Sequence, residues 1–100
     1  MNLNIKDAKA ADVCFALSNK TRRKILAIVS VFDKLSISAL AAQLAQTEAG
    51  TSYNVSVLER AGLIRAKYKP GRHGVAKTIS LAIKTLIIHF KEEPKEGDAT

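Results

Sequence analysis

The stretch from Ser36 to Ile64 constrains this chain most, because it holds two short helical patterns that meet at a tight turn. In the first, Ile37, Leu40, Ala41 and Leu44 recur at helical spacing, and Ser36 stands where its hydroxyl can accept a free amide of the first turn. The second restarts at Thr47, another capping residue. Thr51, Val55 and Leu58 share one face, and Gly62 follows Ala61 where a left-handed residue would end the helix. The opposite face carries Ala49, Ser52, Tyr53, Ser56 and Arg60. Small, hydroxyl-bearing and basic side chains on one exposed helix face suit insertion into a DNA major groove.

Charge points the same way. The net charge is +7, and Glu92, Glu93, Glu96 and Asp98 place four of the nine acids at the extreme C-terminal end. Between Glu59 and Glu92 there is no acid, whereas Arg60, Arg65, Lys67, Lys69, Arg72, Lys77, Lys84 and Lys91 are basic. A merely solvated surface mixes signs, so this asymmetry predicts a polyanionic partner. At 100 residues and 47% hydrophobic, the chain has room for one small domain with a modest core.

Cys14 is the single cysteine, which excludes an intrachain disulfide and a thiolate metal cluster. With no signal-peptide pattern and no apolar run near the roughly 18 residues a membrane span needs, the expectation is a soluble cytoplasmic protein. Cys14, His73, His89, Asp33 and Glu59 are dispersed and form no nucleophile–base or metal spacing, so neither an enzyme nor a metal or other cofactor is expected.

In chain order, Met1 to Lys6 is a short lead whose Leu3 and Ile5 could be loose or pack on a partner. Asp7 to Leu17 reads as a helix with Ala8, Ala11, Phe15 and Cys14 on its inner side, making Cys14 a small buried hydrophobe. Ser18 or Asn19 caps a second helix, Lys20 to Val31, with Ile25, Leu26 and Val29 inward. Arg22 is in phase with Leu26 and Val29 and is expected to snorkel along the core edge into a structural hydrogen bond, leaving Lys20 and Arg23 to touch phosphate. Leu35 can supply a very short strand.

After Gly62 the period alternates: Leu63 to Lys69 and Val75 to Leu81 read as two strands joined by a basic, glycine-bearing tip, Pro70 to Gly74. Ile83 to Lys91 returns to helical spacing, with Ile83, Leu86, Ile87 and Phe90 as an apolar stripe that needs a cover, either the chain's own core or a second copy. Residues 1–91 are thus expected to form the domain and 92–100 a frayed charged tail.

This order of elements resembles the winged helix-turn-helix repressors of the ArsR family over most of the chain. Phe15-Ala16-Leu17-Ser18-Asn19-Lys20-Thr21-Arg22-Arg23-Lys24-Ile25-Leu26 is similar to that family's opening signature. Ser38-Ala39-Leu40-Ala41 and Val57-Leu58-Glu59-Arg60-Ala61-Gly62-Leu63-Ile64 resemble its positioning helix and the end of its recognition helix. The resemblance implies a mainly α fold of about five helices with a two- to three-stranded antiparallel wing. It also implies double-stranded DNA and a second copy of the chain as partners.

Carried over residue by residue, it places Thr47, Ala49, Ser52, Tyr53, Ser56 and Arg60 at the DNA, joined by Arg72, His73 and Lys77 of the wing. Lys67 and Lys69 of the first wing strand complete the expected basic surface, with Lys20 and Arg23. Phe15, Ile83, Leu86, Ile87 and Phe90 fall at the dimer interface, on the first and last helices. Where many family members sense metals through paired cysteines, this chain has Leu35-Ser36-Ile37-Ser38, and His89 and Glu92 lack the upstream partners of the other metal site. The expected role is a transcriptional regulator that occludes a promoter. A winged-helix module that binds protein within a larger assembly is the alternative.

Overall fold

The computed structural model describes residues 1–71 and 74–91. Arg72 and His73 of the expected wing tip, and the expected tail 92–100, lie outside the described residues. The elements run β1 (Asn2–Asn4), α1 (Ala8–Leu17), α2 (Lys20–Val31), β2 (Leu35–Ser36), α3 (Ile37–Leu44), α4 (Glu48–Arg60), β3 (Ile64–Gly71), β4 (Gly74–Leu81) and β5 (Ile87–His89).

Three of the four helices, α2, α3 and α4, begin at a side chain that caps them. The side chains of Asn19, Ser36 and Thr47 accept from the backbone N–H groups of Arg22, Ala39 and Gly50, three residues on, satisfying amides that a helix start leaves unpaired. The ends are closed as economically. Beyond α4, Leu63 N–H donates to Leu58 and Gly62 N–H to Glu59, with Gly62 at φ 81°. That pair of hydrogen bonds needs a residue in the left-handed conformation, which glycine adopts without a side-chain clash. The same closure after α3 uses Ala45 at φ 53°, with Gln46 N–H donating to Ala41 and Ala45 N–H to Ala42. An alanine there costs roughly 1 to 2 kcal/mol of backbone strain, and the tight link into α4 is held regardless.

The core lies where the helices meet the three-stranded sheet. Ile25 of α2, Leu40 of α3, Val55 and Leu58 of α4, Leu63 and Ile79 are almost fully buried, each worth about 1.5 to 3 kcal/mol of apolar transfer. Strands order β2-β4-β3, all antiparallel, with Ile79 flanked by Leu35 on one side and Ala66 on the other. The β3–β4 hairpin stays in register to Gly71 opposite Gly74, so the strands reach further into the expected turn than the alternation alone indicates.

Three expectations are corrected. α1 turns Ala10, Val13 and Ala16 inward rather than Ala8, Ala11 and Phe15. Cys14 is consequently exposed, not buried. The stripe of small residues lets α1 lie close against α4, which a face bearing Phe15 would hold off. Finally, there are four helices among the described residues, not about five, because the stretch expected as a terminal helix ends in β5. β5 pairs in parallel with β1, Leu3 opposite Ile88, and Leu3 is buried in the chain's own core. The β-branched pair Ile87-Ile88 suits an extended backbone as well as its spacing suits a helix, and a strand partner more than eighty residues away tips the balance.

Candidate nucleic-acid interface

α4 is set in place by what lies beneath and beside it. Thr51, Val55 and Leu58 point into the core, so the reverse side of the helix must face outward. Ala49 and Arg60 are exposed there, Tyr53 is 60% exposed, and Ser52 and Ser56 are half-buried on its flanks. The sequence therefore assigned these five side chains to the correct face. Gly50, an unfavourable residue in a first helical turn, has a local reason: a Cβ there would stand 3.0 Å from Thr47 Oγ1, the atom that caps the helix. Thr47 itself is exposed at that start.

A buried arginine ties the start of α2, the end of α1 and α4 together. Arg22 is only 5% exposed. Its Nε donates to Ala16 O at 2.8 Å, its Nη2 to Phe15 O at 2.9 Å and its Nη1 to Asn54 Oδ1 at 3.1 Å, with the guanidinium stacked 4.9 Å from the Phe15 ring centroid. Arg23 Nη1 donates to Leu17 O and Ser18 Oγ to Phe15 O. The last carbonyls of α1, which carry the negative end of the helix dipole, thus receive two cationic side chains and a hydroxyl. Arg22 does what its phase predicts. Arg23 is exposed yet partly committed to Leu17, while Lys20 is exposed at the same helix start.

The wing is coupled to α4 by Lys77. Its Nζ lies 3.1 Å from Glu59 Oε1 and 5.7 Å from the centroid of Tyr68, its cross-strand partner. Lys77, expected at the DNA, is thus engaged in an ion pair with Glu59. Alternation then sorts the other wing residues. Tyr68 and Lys77 face α4, whereas Arg65, Lys67 and Lys69 fall on the opposite, exposed face of the hairpin. Lys67 and Lys69 are thus not gathered beside Tyr53.

Sequence reasoning passed over three residues here. Asn54 is drawn in by Arg22, Glu59 by Lys77, and Tyr68 is 63% exposed on the wing face turned toward α4. The inward parity of Lys77 among Ile79 and Leu81 was the available signal, since a lysine on a core-facing row requires an acid nearby. Among the described residues no group of three or more histidine, cysteine, aspartate or glutamate side chains could hold a metal. Of the expected interface residues, Phe15 and Phe90 are exposed, Ile87 is 46% exposed, and Ile83 and Leu86 pack against the core from the connection before β5.

Two helices joined by a tight turn, the second presented outward beside a hairpin, is the geometry of a winged helix-turn-helix. The model of a helix-turn-helix domain family matches residues 17–66, which spans that unit. The chain belongs to this helix-turn-helix family. Solved structures place it with ArsR-like winged-helix regulators. HlyU from Vibrio cholerae is 25% identical, with 76% of this chain and 77% of that one covered at a TM-score of 0.63. A structure described as an ArsR family transcriptional regulator is 26% identical over 73% of this chain and 70% of its own, at a TM-score of 0.62. A homodimeric winged helix-turn-helix DNA-binding domain from Mycobacterium bovis shares the fold at a TM-score of 0.64 and 24% identity, covering 74% and 64% of the two chains. Among curated protein sequences none matches the chain. The helix-turn-helix family and fold are those of DNA-binding transcriptional regulators, not of enzymes. No helix among the described residues is long and apolar enough to cross a membrane.

Proposed function

We propose that this helix-turn-helix protein works in the cytoplasm as a homodimeric regulator that represses transcription by occluding promoter DNA. The observation that carries the reading is α4, sealed to the core through Thr51, Val55 and Leu58 while Tyr53, Ala49, Ser52, Ser56 and Arg60 are left for the major groove. Lys20, Arg23 and Thr47 flank that helix and meet phosphates, with Lys67, Lys69, Arg72 and His73 contributing from the wing. Two copies joined through Phe15, Ile83, Leu86, Ile87 and Phe90 present two such helices to one duplex. Similarity to HlyU and to ArsR family regulators supports a regulatory role. The homodimeric relative from Mycobacterium bovis supports self-association.

Binding strength comes mainly from phosphates. Tyr and Ser hydroxyls distinguish bases less sharply than the bidentate side chains, of which α4 carries Asn54 and Arg60. A dimer neutralising about six to eight phosphates predicts that log K falls with log salt at a slope of about −5 to −7. Fluorescence anisotropy on labelled duplex from 50 to 300 mM salt, roughly the range where counterion release dominates, measures that slope. An affinity nearly independent of salt would refute the reading.

A further inference from the structure

β5 has one satisfied edge and one open edge, and its hydrogen bonds to β1 identify which is which. Thr85 O accepts from the Met1 amino group, Ile87 N–H donates to Met1 O, and His89 O accepts from Ile5 N–H. The odd-numbered residues therefore turn their backbone groups toward β1, and Leu86, Ile88 and Phe90 turn theirs to the other side. Among the described residues that other side has no strand partner. The outer edge of β1 is closed at its Asn4 end, since Asn4 N–H donates to Asp7 Oδ2 and Asp7 N–H to Asn4 O. Three-residue strands in a two-stranded parallel pair are marginal alone, and β5 carries none of the charges or prolines that usually guard an open edge.

We propose that β5 pairs antiparallel with β5 of a second copy about a two-fold axis at Ile88, so that each Phe90 closes the apolar hollow beside the other copy's Leu86. The inference rests on the homodimer reading and names its interface.

The geometry selects a second copy. An antiparallel pair exchanges both hydrogen bonds between residues whose groups face each other, and Ile88 is the outward-facing residue at the strand's centre. Centring the axis there sets Leu86 opposite Phe90 and Ile87 opposite His89. Lys91 falls opposite Thr85, so no two lysines are juxtaposed within the described residues.

The side chains match as well. Directly opposed residues of an antiparallel pair point to the same face, and Leu86 shares the inward parity of Ile88 and Leu3. Leu86 lines an open hollow of about 310 Å³ together with Leu17, Leu26, Leu63 and Leu81, with Lys84 at its rim. Phe90, 75% exposed in the single chain, is the large apolar side chain that this register delivers there. Knob and hollow occur on the same chain, one on each side of Ile88, and a two-fold axis makes each copy supply both.

Sedimentation equilibrium of the full chain and its Ile88→Pro and Phe90→Ala variants tests the assignment. Proline at 88 removes an amide that the single chain does not use, so circular dichroism should be unchanged. The dimer dissociation constant should rise about 100-fold or more, from two lost hydrogen bonds plus the ring's steric conflict. Should Ile88→Pro misfold, cross-linking decides. In a Cys14→Ser background, Ile88→Cys places two thiols on Cα atoms about 5.5 Å apart, whereas Lys84→Cys places them roughly 26 Å apart. A short dithiol cross-linker should join the first and not the second. A wild-type dimer that is insensitive to Ile88→Pro and Phe90→Ala, or that cross-links at 84 and not at 88, overturns the strand interface and leaves the homodimer standing. A wild-type monomer at micromolar concentration overturns both.

Discussion

Replacing Arg22 with Met tests whether the arginine knot holds the reading helix in place. Methionine keeps an unbranched apolar stem over Phe15 and deletes every donor. The consequence differs for each of the three acceptors. Phe15 O keeps the Ser18 hydroxyl at 2.6 Å and is little affected. Ala16 O loses its buried donor at 2.8 Å and is orphaned, at a cost of about 1 to 3 kcal/mol. Asn54 Oδ1, part-buried, loses a charge-assisted bond at 3.1 Å, worth about 1 kcal/mol at such a site. With the lost cation at the end of α1, the total is about 3 kcal/mol, which for a domain of this size lowers the midpoint of thermal unfolding by roughly 12 to 24 °C. Urea denaturation at one fixed protein concentration, needed because self-association adds to apparent stability, measures it. A double cycle with Asn54→Ala should return a coupling near 1 kcal/mol. A loss below about 1 kcal/mol for Arg22→Met would show that the network contributes only geometry, and the reasoning would fail.

Other outcomes follow from single side chains. Thr51 is fully buried and its hydroxyl has no hydrogen-bond partner among the described residues, so the nearly isosteric Thr51→Val should stabilise by about 1 kcal/mol in the same urea assay. A destabilised Thr51→Val variant would mean that the hydroxyl is satisfied in solution. Tyr53→Ala should weaken binding to a selected operator more than binding to random duplex, measured as a ratio of dissociation constants. Equal losses would reduce Tyr53 to a phosphate contact.

What the sequence disclosed, and what it hid, divides along the range of the interactions. α2 is observed over Lys20–Val31 as its periodicity indicates, and the Ser36 and Thr47 caps form as their spacing indicates, because these depend on neighbours three or four residues away. The inner face of α1 was misjudged because Ala8-Ala11-Phe15 and Ala10-Val13-Ala16 both fit a helical period. Only the packing of α1 against α2, α4 and β1 separates them. The strand at Ile87–His89 was hidden because it depends on a parallel partner at the other end of the chain. Likewise Glu59 and Lys77 meet only once the hairpin is folded.

One consequence of the buried arginine reaches beyond stability. A guanidinium only donates, so the Asn54 side chain must turn its oxygen inward, and its NH2 group is held on the other side. Bracketing an adenine demands an amide oxygen and nitrogen aimed together at one base edge, and the Asn54 amide is locked out of that pose. In effect the scaffold has edited the vocabulary of its own reading helix: the interior decides which chemical word one of its surface residues is able to speak.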